Sequence, residues 1–282
     1  MKFYKMQGTG NDFVLIDVRQ EGERVWPVLA RQLCDRHFGV GSDGILLVKE
    51  PSRNASAAKY RMVMYNPDGS EAEMCGNGIR CFAKYLYDSG ELEEPRVTVE
   101  TGAGLLQIEL EAEGSTARRA IVDMGVPVFQ PDRVPVIAPG DEVIDLPLRV
   151  DGYELALTAV SMGNPHAVHF LNEEPRRFPL ETIGPRVEHD ARFPRRVNFE
   201  VARLAAPGLL DVRVWERGAG ITLACGTGAC AVFAAARRKG IVGESAILRL
   251  PGGELEMQLG TRGQILMSGP AEFVFAGDWY EH

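Results

Sequence analysis

The chain has 282 residues, 45% of them hydrophobic and 25% charged, the balance of an ordinary soluble globular protein with length enough for two cores. Its net charge of −8 argues against nucleic acid or an anionic membrane as partner. No apolar run reaches the length of a membrane span, and Met1-Lys2-Phe3-Tyr4-Lys5 opens into a strand pattern instead of a signal peptide, so the expected location is cytoplasmic.

In chain order, strands are expected near 3–6, 13–18, 45–49, 60–65, 96–100 and 105–110, with helices near 26–37 and 76–89. Further strands are expected near 120–124, 153–161, 166–170, 197–203, 210–215, 247–250 and 255–259, with helices near 179–187 and 227–238. The stretch from Phe129 to Leu148, rich in proline and acidic residues, reads as a surface loop. The tail Ala271-Glu272-Phe273-Val274-Phe275 is one strand more than the second half needs and is expected to complete the first. Strands outnumber helices and most links are too short for crossover helices. The fold class is therefore α+β, with mostly antiparallel sheets wrapped round a central helix.

The sequence repeats itself at long range. Met74-Cys75-Gly76-Asn77-Gly78 and Ala224-Cys225-Gly226-Thr227-Gly228 lie at an offset of 150, and the same offset maps Ile79, Phe82, Ala83 and Leu86 onto Ala229, Val232, Phe233 and Ala236. Those are the i, i+3, i+4, i+7 positions of a buried helical stripe. Gly90 maps onto Gly240 as a helix-ending glycine, and Met62 and Met64 onto Val212 and Val214 as alternate positions of a strand. So long a period excludes a solenoid and implies two duplicated domains: residues 1–124 with 270–282, carrying Cys75, and residues 125–269, carrying Cys225.

A cysteine at a helix start meets unpaired backbone N–H groups and the positive end of the helix dipole, which favour thiolate. The thiol pKa is expected to fall from about 8.5 toward neutrality. The glycines that follow leave those N–H groups open to a small carboxylate. Two such helix ends on one amino acid carboxylate would set its α-carbon between two sulfurs. One thiolate could remove the α-proton while the opposite thiol delivers another, with no pyridoxal and no metal.

Of the 5 cysteines, Cys34, Cys81 and Cys230 read as small buried residues. The spacings Cys75 to Cys81 and Cys225 to Cys230 do not suit a metal, and no metal or other cofactor is expected. His166 reads as a positioning or packing residue. The asparagine motifs read as turns, and Glu216-Arg217 as either a solvated pair or a site at a strand end, as Asn66 stands before Cys75.

Taken together, Gly8-Thr9-Gly10-Asn11-Asp12-Phe13, Tyr65-Asn66-Pro67-Asp68-Gly69-Ser70, Met74 to Cys81, Gly163-Asn164-Pro165-His166, Val197-Asn198-Phe199, Glu216-Arg217-Gly218 and Ala224 to Gly228 resemble the diaminopimelate epimerases, from Met1 to about Phe275. The resemblance implies interconversion of LL- and meso-diaminopimelate, a step toward lysine and peptidoglycan precursors, by a cytoplasmic, cofactor-independent homodimer. By motif, Cys75 and Cys225 correspond to the base and acid. Gly76, Asn77, Gly226 and Thr227 correspond to the holders of the reacting carboxylate, and Asn11, Asn66, Asn164, Asn198, Glu216 and Arg217 to the binders of the rest of the substrate. An anion, a cation and several amides suit a distal amino acid end. Where some relatives carry a polar side chain, this sequence has Gly44.

Three alternatives stand beside this one. A proline racemase or hydroxyproline epimerase shares the cysteine pair but needs no distal polar set. A phenazine-pathway isomerase shares the duplicated fold without this cysteine chemistry. A redox-sensing binding protein would join Cys75 and Cys225 in a reversible disulfide.

Overall fold

A computed structural model describes all residues except Glu23, Ser56, Glu281 and His282. The elements run β1 (Lys2–Gly8), β2 (Asn11–Asp17), α1 (Trp26–Cys34), β3 (Ile45–Lys49), β4 (Tyr60–Tyr65), β5 (Glu71–Ala72), α2 (Gly76–Asp88), β6 (Arg96–Thr101), β7 (Gly104–Glu113) and β8 (Thr116–Asp123). They continue with β9 (Leu146–Val150), β10 (Tyr153–Ser161), β11 (Pro165–Phe170), α3 (Leu180–Glu188), β12 (Asn198–Ala206), β13 (Leu209–Glu216), β14 (Gly220–Thr222), α4 (Gly226–Arg238), β15 (Ser245–Leu250), β16 (Gly253–Leu259), β17 (Ile265–Pro270) and β18 (Glu272–Asp278). The chain divides into two compact units, Met1–Asp123 with Ser268–His282, and Met124–Met267.

The first unit is laid out on β1, which pairs antiparallel with β2 and with the tail strand β18. From β2 the order continues parallel to β3, antiparallel to β4, parallel to β6, then antiparallel through β7 to β8, with β5 folded antiparallel onto the end of β4. The second unit repeats this pattern pairing for pairing. There β10 pairs antiparallel with β9 and β11, β11 runs parallel to β12, β12 antiparallel to β13, β13 parallel to β15, β15 antiparallel to β16, and β14 folds back on β13. The stretch 129–148, read from sequence as loop throughout, ends in β9, which takes the place beside β10 that β18 takes beside β1.

Each unit holds one helix within its sheet. Residues Gly76 to Leu86 of α2 are all buried, as is nearly all of α4 from Gly226 to Ala236. A helix enclosed on every side needs small or apolar residues all round, which the Ala-rich run of α4 supplies. Both helices stop in the same way. Gly90 adopts φ 79° and Gly240 φ 71°, the left-handed backbone that a side chain would strain. Glu91 N then bonds Leu86 O at 3.0 Å, and Ile241 N bonds Ala236 O at 2.8 Å, closing the last carbonyls. Outside the sheets, Trp26, Leu29 and Leu33 of α1 pack on Val14, Ile16, Ile45 and Leu47, and Leu180, Ile183 and Val187 of α3 pack with Phe178 and Phe199.

Candidate active site

The duplicated cysteines are N-cap residues. Cys75 precedes α2 with φ −139° and ψ 118°, and Cys225 precedes α4 with φ −122° and ψ 114°. Each sulfur accepts from the third helical amide, Gly78 N or Gly228 N, at 3.4 Å. The first amides of an α-helix have no acceptor within it, so the starts of α2 at Gly76 and of α4 at Gly226 favour a bound anion.

Around Cys75 the structure gathers Asn11 and Asn77. Asn11 Nδ2 donates to Asp43 Oδ2 at 2.7 Å, which turns Asn11 Oδ1 toward the helix start. That oxygen accepts from Asn77 Nδ2 at 3.2 Å and from the Cys75 thiol at 3.8 Å. Two residues outside the predicted set build this corner. Arg80, fully buried, donates from Nη1 to Gly76 O and Asn77 Oδ1 at 3.1 Å each, from Nε to Pro270 O at 3.2 Å, and from Nη2 to the Thr9 hydroxyl. A Cβ on Gly8 would stand 3.1 Å from Asn77 O and 3.2 Å from Arg80 Nη2, so the glycine of that motif is there for close approach. An arginine at an otherwise apolar helical position was the available signal. Asn66 keeps its turn: its Nδ2 donates to Ser70 Oγ at 3.0 Å and its backbone N to Ser70 O at 2.8 Å.

Around Cys225 the arrangement is longer. Thr227 Oγ1 lies 3.5 Å from the sulfur and accepts from Asn164 Nδ2 at 3.3 Å. Asn164 Oδ1 is 2.9 Å from His166 Nε2, and His166 Nδ1 is 2.7 Å from Glu200 Oε1. The Glu216 carboxylate hydrogen-bonds Thr222 and Cys225. Asn198 uses its amide on backbone, Nδ2 to Pro165 O at 2.8 Å and Oδ1 from Arg217 N at 2.9 Å. It thereby ties the Asn164 turn to the Glu216-Arg217 turn. Arg217 Nη1 donates to Arg195 O at 3.0 Å.

The expected fall of the thiol pKa does not hold at Cys225. Burial pushes this thiol well above its ordinary range, and the Glu216 and Glu200 carboxylates push the same way. Hydrogen bonds from Thr227 and Gly228 N oppose them and are outweighed. The helix-start argument omitted the cost of ionising a cysteine that is only 7% exposed. Cys225 therefore waits as a thiol, the form that gives a proton. Burial also raises the Glu216 carboxyl. Burial, then Arg196 and Arg195, lowers the Arg217 guanidinium, so an anion brought there would be welcomed.

Cys34, Cys81 and Cys230 are buried and in no disulfide; burial holds Cys81 up at about 12 and raises Cys34 also. Among the described residues no His, Cys, Asp and Glu side chains group to hold a metal ion, and no helix is long and apolar enough to cross a membrane.

Comparison with known proteins gives the family and the fold. Residues 3–130 and 158–274 match the family described as diaminopimelate epimerase. The chain is 48% identical to a diaminopimelate epimerase of Desulfitobacterium hafniense over 280 residues, 98% of this chain and 97% of that one. It is 45% identical to that of Moorella thermoacetica, with 99% of each chain covered. Among solved structures, a hydroxyproline epimerase from Agrobacterium vitis matches with TM-score 0.69 at 18% identity, over 98% of this chain and 90% of that chain. A Bacillus anthracis phenazine biosynthesis protein of the PhzF family matches with TM-score 0.71 at 18% identity, over 100% and 99%. Both share the α+β fold of paired sheets enclosing helices.

Proposed function

As a member of the diaminopimelate epimerase family the chain epimerises diaminopimelate in lysine biosynthesis, and we propose that Cys75 and Cys225 carry the two protons of that reaction. The observation that supports this reading is the pair of N-cap cysteines, alike in backbone, in amide partner and in the glycine that follows. An α-carbon inverts when a proton leaves one face and another arrives on the opposite face. One thiolate takes the α-proton and becomes a thiol; the electron pair passes into the enolate of the carboxylate; the other thiol protonates the carbon and becomes a thiolate. The two sulfurs end with exchanged protonation states, so the reverse reaction needs no further group.

In this reading the amides at the starts of α2 and α4 hold the carboxylate and stabilise the charge that grows on it. Their N–H groups stay fixed when charge appears, so little reorganisation is required. The surroundings of Cys225 raise its thiol, which favours the form that gives a proton. Glu216 and Arg217, with Asn164 and Asn198, read the distal amino acid end: the carboxylate faces its ammonium and the guanidinium its carboxylate. Asn11 and Asn66 complete the set. The chain acts in the cytoplasm as a homodimer in this reading.

The test is incubation of reduced protein with LL-diaminopimelate in deuterated water, with proline as control. Meso product carrying deuterium at the inverted carbon is expected, and proline is left unchanged. Inversion with full retention of the original hydrogen would overturn the two-thiol mechanism.

A further inference from the structure

Corresponding positions in the two units are given by strand register. Tyr65 pairs with Ile45 and Trp215 with Phe199, while Ile45 pairs with Val14 and Phe199 with Ala167. One residue along each strand, Leu46 therefore corresponds to Glu200, and one residue back, Phe13 corresponds to His166. Leu46 and Phe13 are fully buried, and so are Glu200 and His166. The fold thus has an apolar solution for this pair of sites and uses it once. In the second unit the same sites hold a carboxylate and an imidazole with no exposed surface. Burying such a pair costs desolvation, and apolar residues of like volume are often as stable or more so. Glu200 Oε2 has no hydrogen-bond partner in the structure, which adds to that cost.

The expense follows a line to the sulfur. Gly228 clears the path, since a Cβ there would meet Glu200 Oε1 at 2.7 Å and Cys225 Sγ at 3.3 Å. In the first unit a Cβ on Gly78 would meet only Leu46 and Cys75 carbons, at 3.0 and 3.4 Å. The amide polarity differs too. Asp43, an acceptor, turns the oxygen of Asn11 toward Cys75; His166 takes the oxygen of Asn164 and turns its nitrogen toward Thr227.

We propose that Glu200 is a positioning residue for Cys225, acting through a one-way hydrogen-bond chain of His166, Asn164 and Thr227 that ends on the sulfur. Glu200 pins the ring so that Nε2 carries a proton, whether the second shared proton sits on Nδ1 or on the carboxyl. Nε2–H donates to Asn164 Oδ1, Asn164 Nδ2–H donates to Thr227 Oγ1, and the Thr227 hydroxyl, its oxygen already taken as acceptor, donates to Cys225 Sγ. The chain steadies the thiolate that forms when Cys225 gives up its proton. The titratable groups facing Cys225 are Glu216 and Glu200, with His166 behind Asn164. The proposal rests on Cys225 being a proton carrier.

Three variants test it. Glu200→Leu copies the first unit at one of the two sites; it leaves the buried Nδ1 unpinned, so it is expected to lower the melting temperature, and kcat should fall about tenfold, the worth of one hydrogen bond. Glu200→Gln can still donate to Nδ1 and keep the proton on Nε2, so its kcat should stay within about threefold of the parent enzyme. Thr227→Val removes the last donor, and Glu200→Leu added to it should cost nothing further. Nitrogen-15 NMR of the His166 ring reads the same chain without substrate: Nε2 is protonated in the parent and in Glu200→Gln. An unprotonated Nε2 in the parent, parental kcat in Glu200→Leu, Glu200→Gln as slow as Glu200→Leu, or additive losses in the double variant would each overturn the proposal. Should Glu200→Leu fail to fold, the nitrogen spectra still decide it. A parent enzyme without turnover would sink the epimerase reading, and the protonation of Nε2 in those spectra would then decide the hydrogen-bond chain by itself.

Discussion

Gly78 and Gly228 are equivalent by repeat, yet alanine should be felt very differently at the two. Both sit in the first turn of an enclosed helix, where alanine gains up to about 1 kcal/mol of helix propensity over glycine. At position 78 the new methyl meets Leu46 Cδ2 at 3.0 Å, a flexible apolar tip that a small rotation moves away. Net stability should change by less than about 1 kcal/mol. At position 228 the methyl meets Glu200 Oε1 at 2.7 Å, and that carboxylate is held by His166 at 2.7 Å with no exposed surface. It must retreat by about half an ångström, and overpacking of that kind costs about 1–3 kcal/mol, more than the propensity gain. At about 2–4 °C per kcal/mol, Gly228→Ala should melt several degrees below Gly78→Ala. Differential scanning calorimetry on the two variants measures the gap. Epimerisation should fall at least tenfold in Gly228→Ala, because Glu200 moves and the sulfur is crowded. Equal melting temperatures with equal activities would refute the contrast drawn between Leu46 and Glu200.

Asp12 gives a pH-dependent prediction. Burial pushes its carboxyl up, but hydrogen bonds from Arg36 and Lys5 and the Lys5 charge together win and hold it at about 2. A depressed carboxyl stabilises the fold above its unfolded pKa and loses that contribution as pH falls from about 4 to about 2. Asp12→Asn should therefore cost about 2 kcal/mol at neutral pH in urea unfolding, with the gap narrowing below pH about 4; a pH-independent gap would count against the ion pairs. Arg80→Met removes every donor that Arg80 gives to Gly76, Asn77, Thr9 and Pro270. It should cost about 3 kcal/mol and raise KM through a loosened Asn77; parental stability and KM would show that these bonds position nothing.

The duplication was legible because it lies in patterns that a chain must repeat to fold twice: the apolar stripe of α2 in α4, and Gly90 in Gly240. Each was anchored to a cysteine. Strands marked by a short apolar run, such as 45–49 and 60–65, fell on the observed β3 and β4. Short or irregular ones did not announce themselves. The two-residue β5 and the three-residue β14 exist only as returns onto β4 and β13, and β9, with Pro147 inside it, is set by its pairing with β10. At the site, the cysteines and the asparagines around them could be read from motif. The direction in which the Cys225 thiol shifts could not, since burial and the approach of Glu200 and Glu216 are tertiary facts that outweigh a helix start. Asn198 shows the same limit from the other side: its amide serves backbone groups brought near only by folding. Glu200 stood one residue beyond a recognised motif, in a strand buried on both faces, where a lone charge was the sign to pursue.

The most direct test of the account compares α-proton exchange from LL- and from meso-diaminopimelate in Cys75→Ala and in Cys225→Ala, in deuterated water. Each remaining thiol reaches only one face of the carbon. Neither variant should invert the centre, and each should exchange the proton of one isomer alone, a different isomer in the two variants. Inversion by either single variant, or exchange of the same isomer by both, would contradict the two-thiol reading.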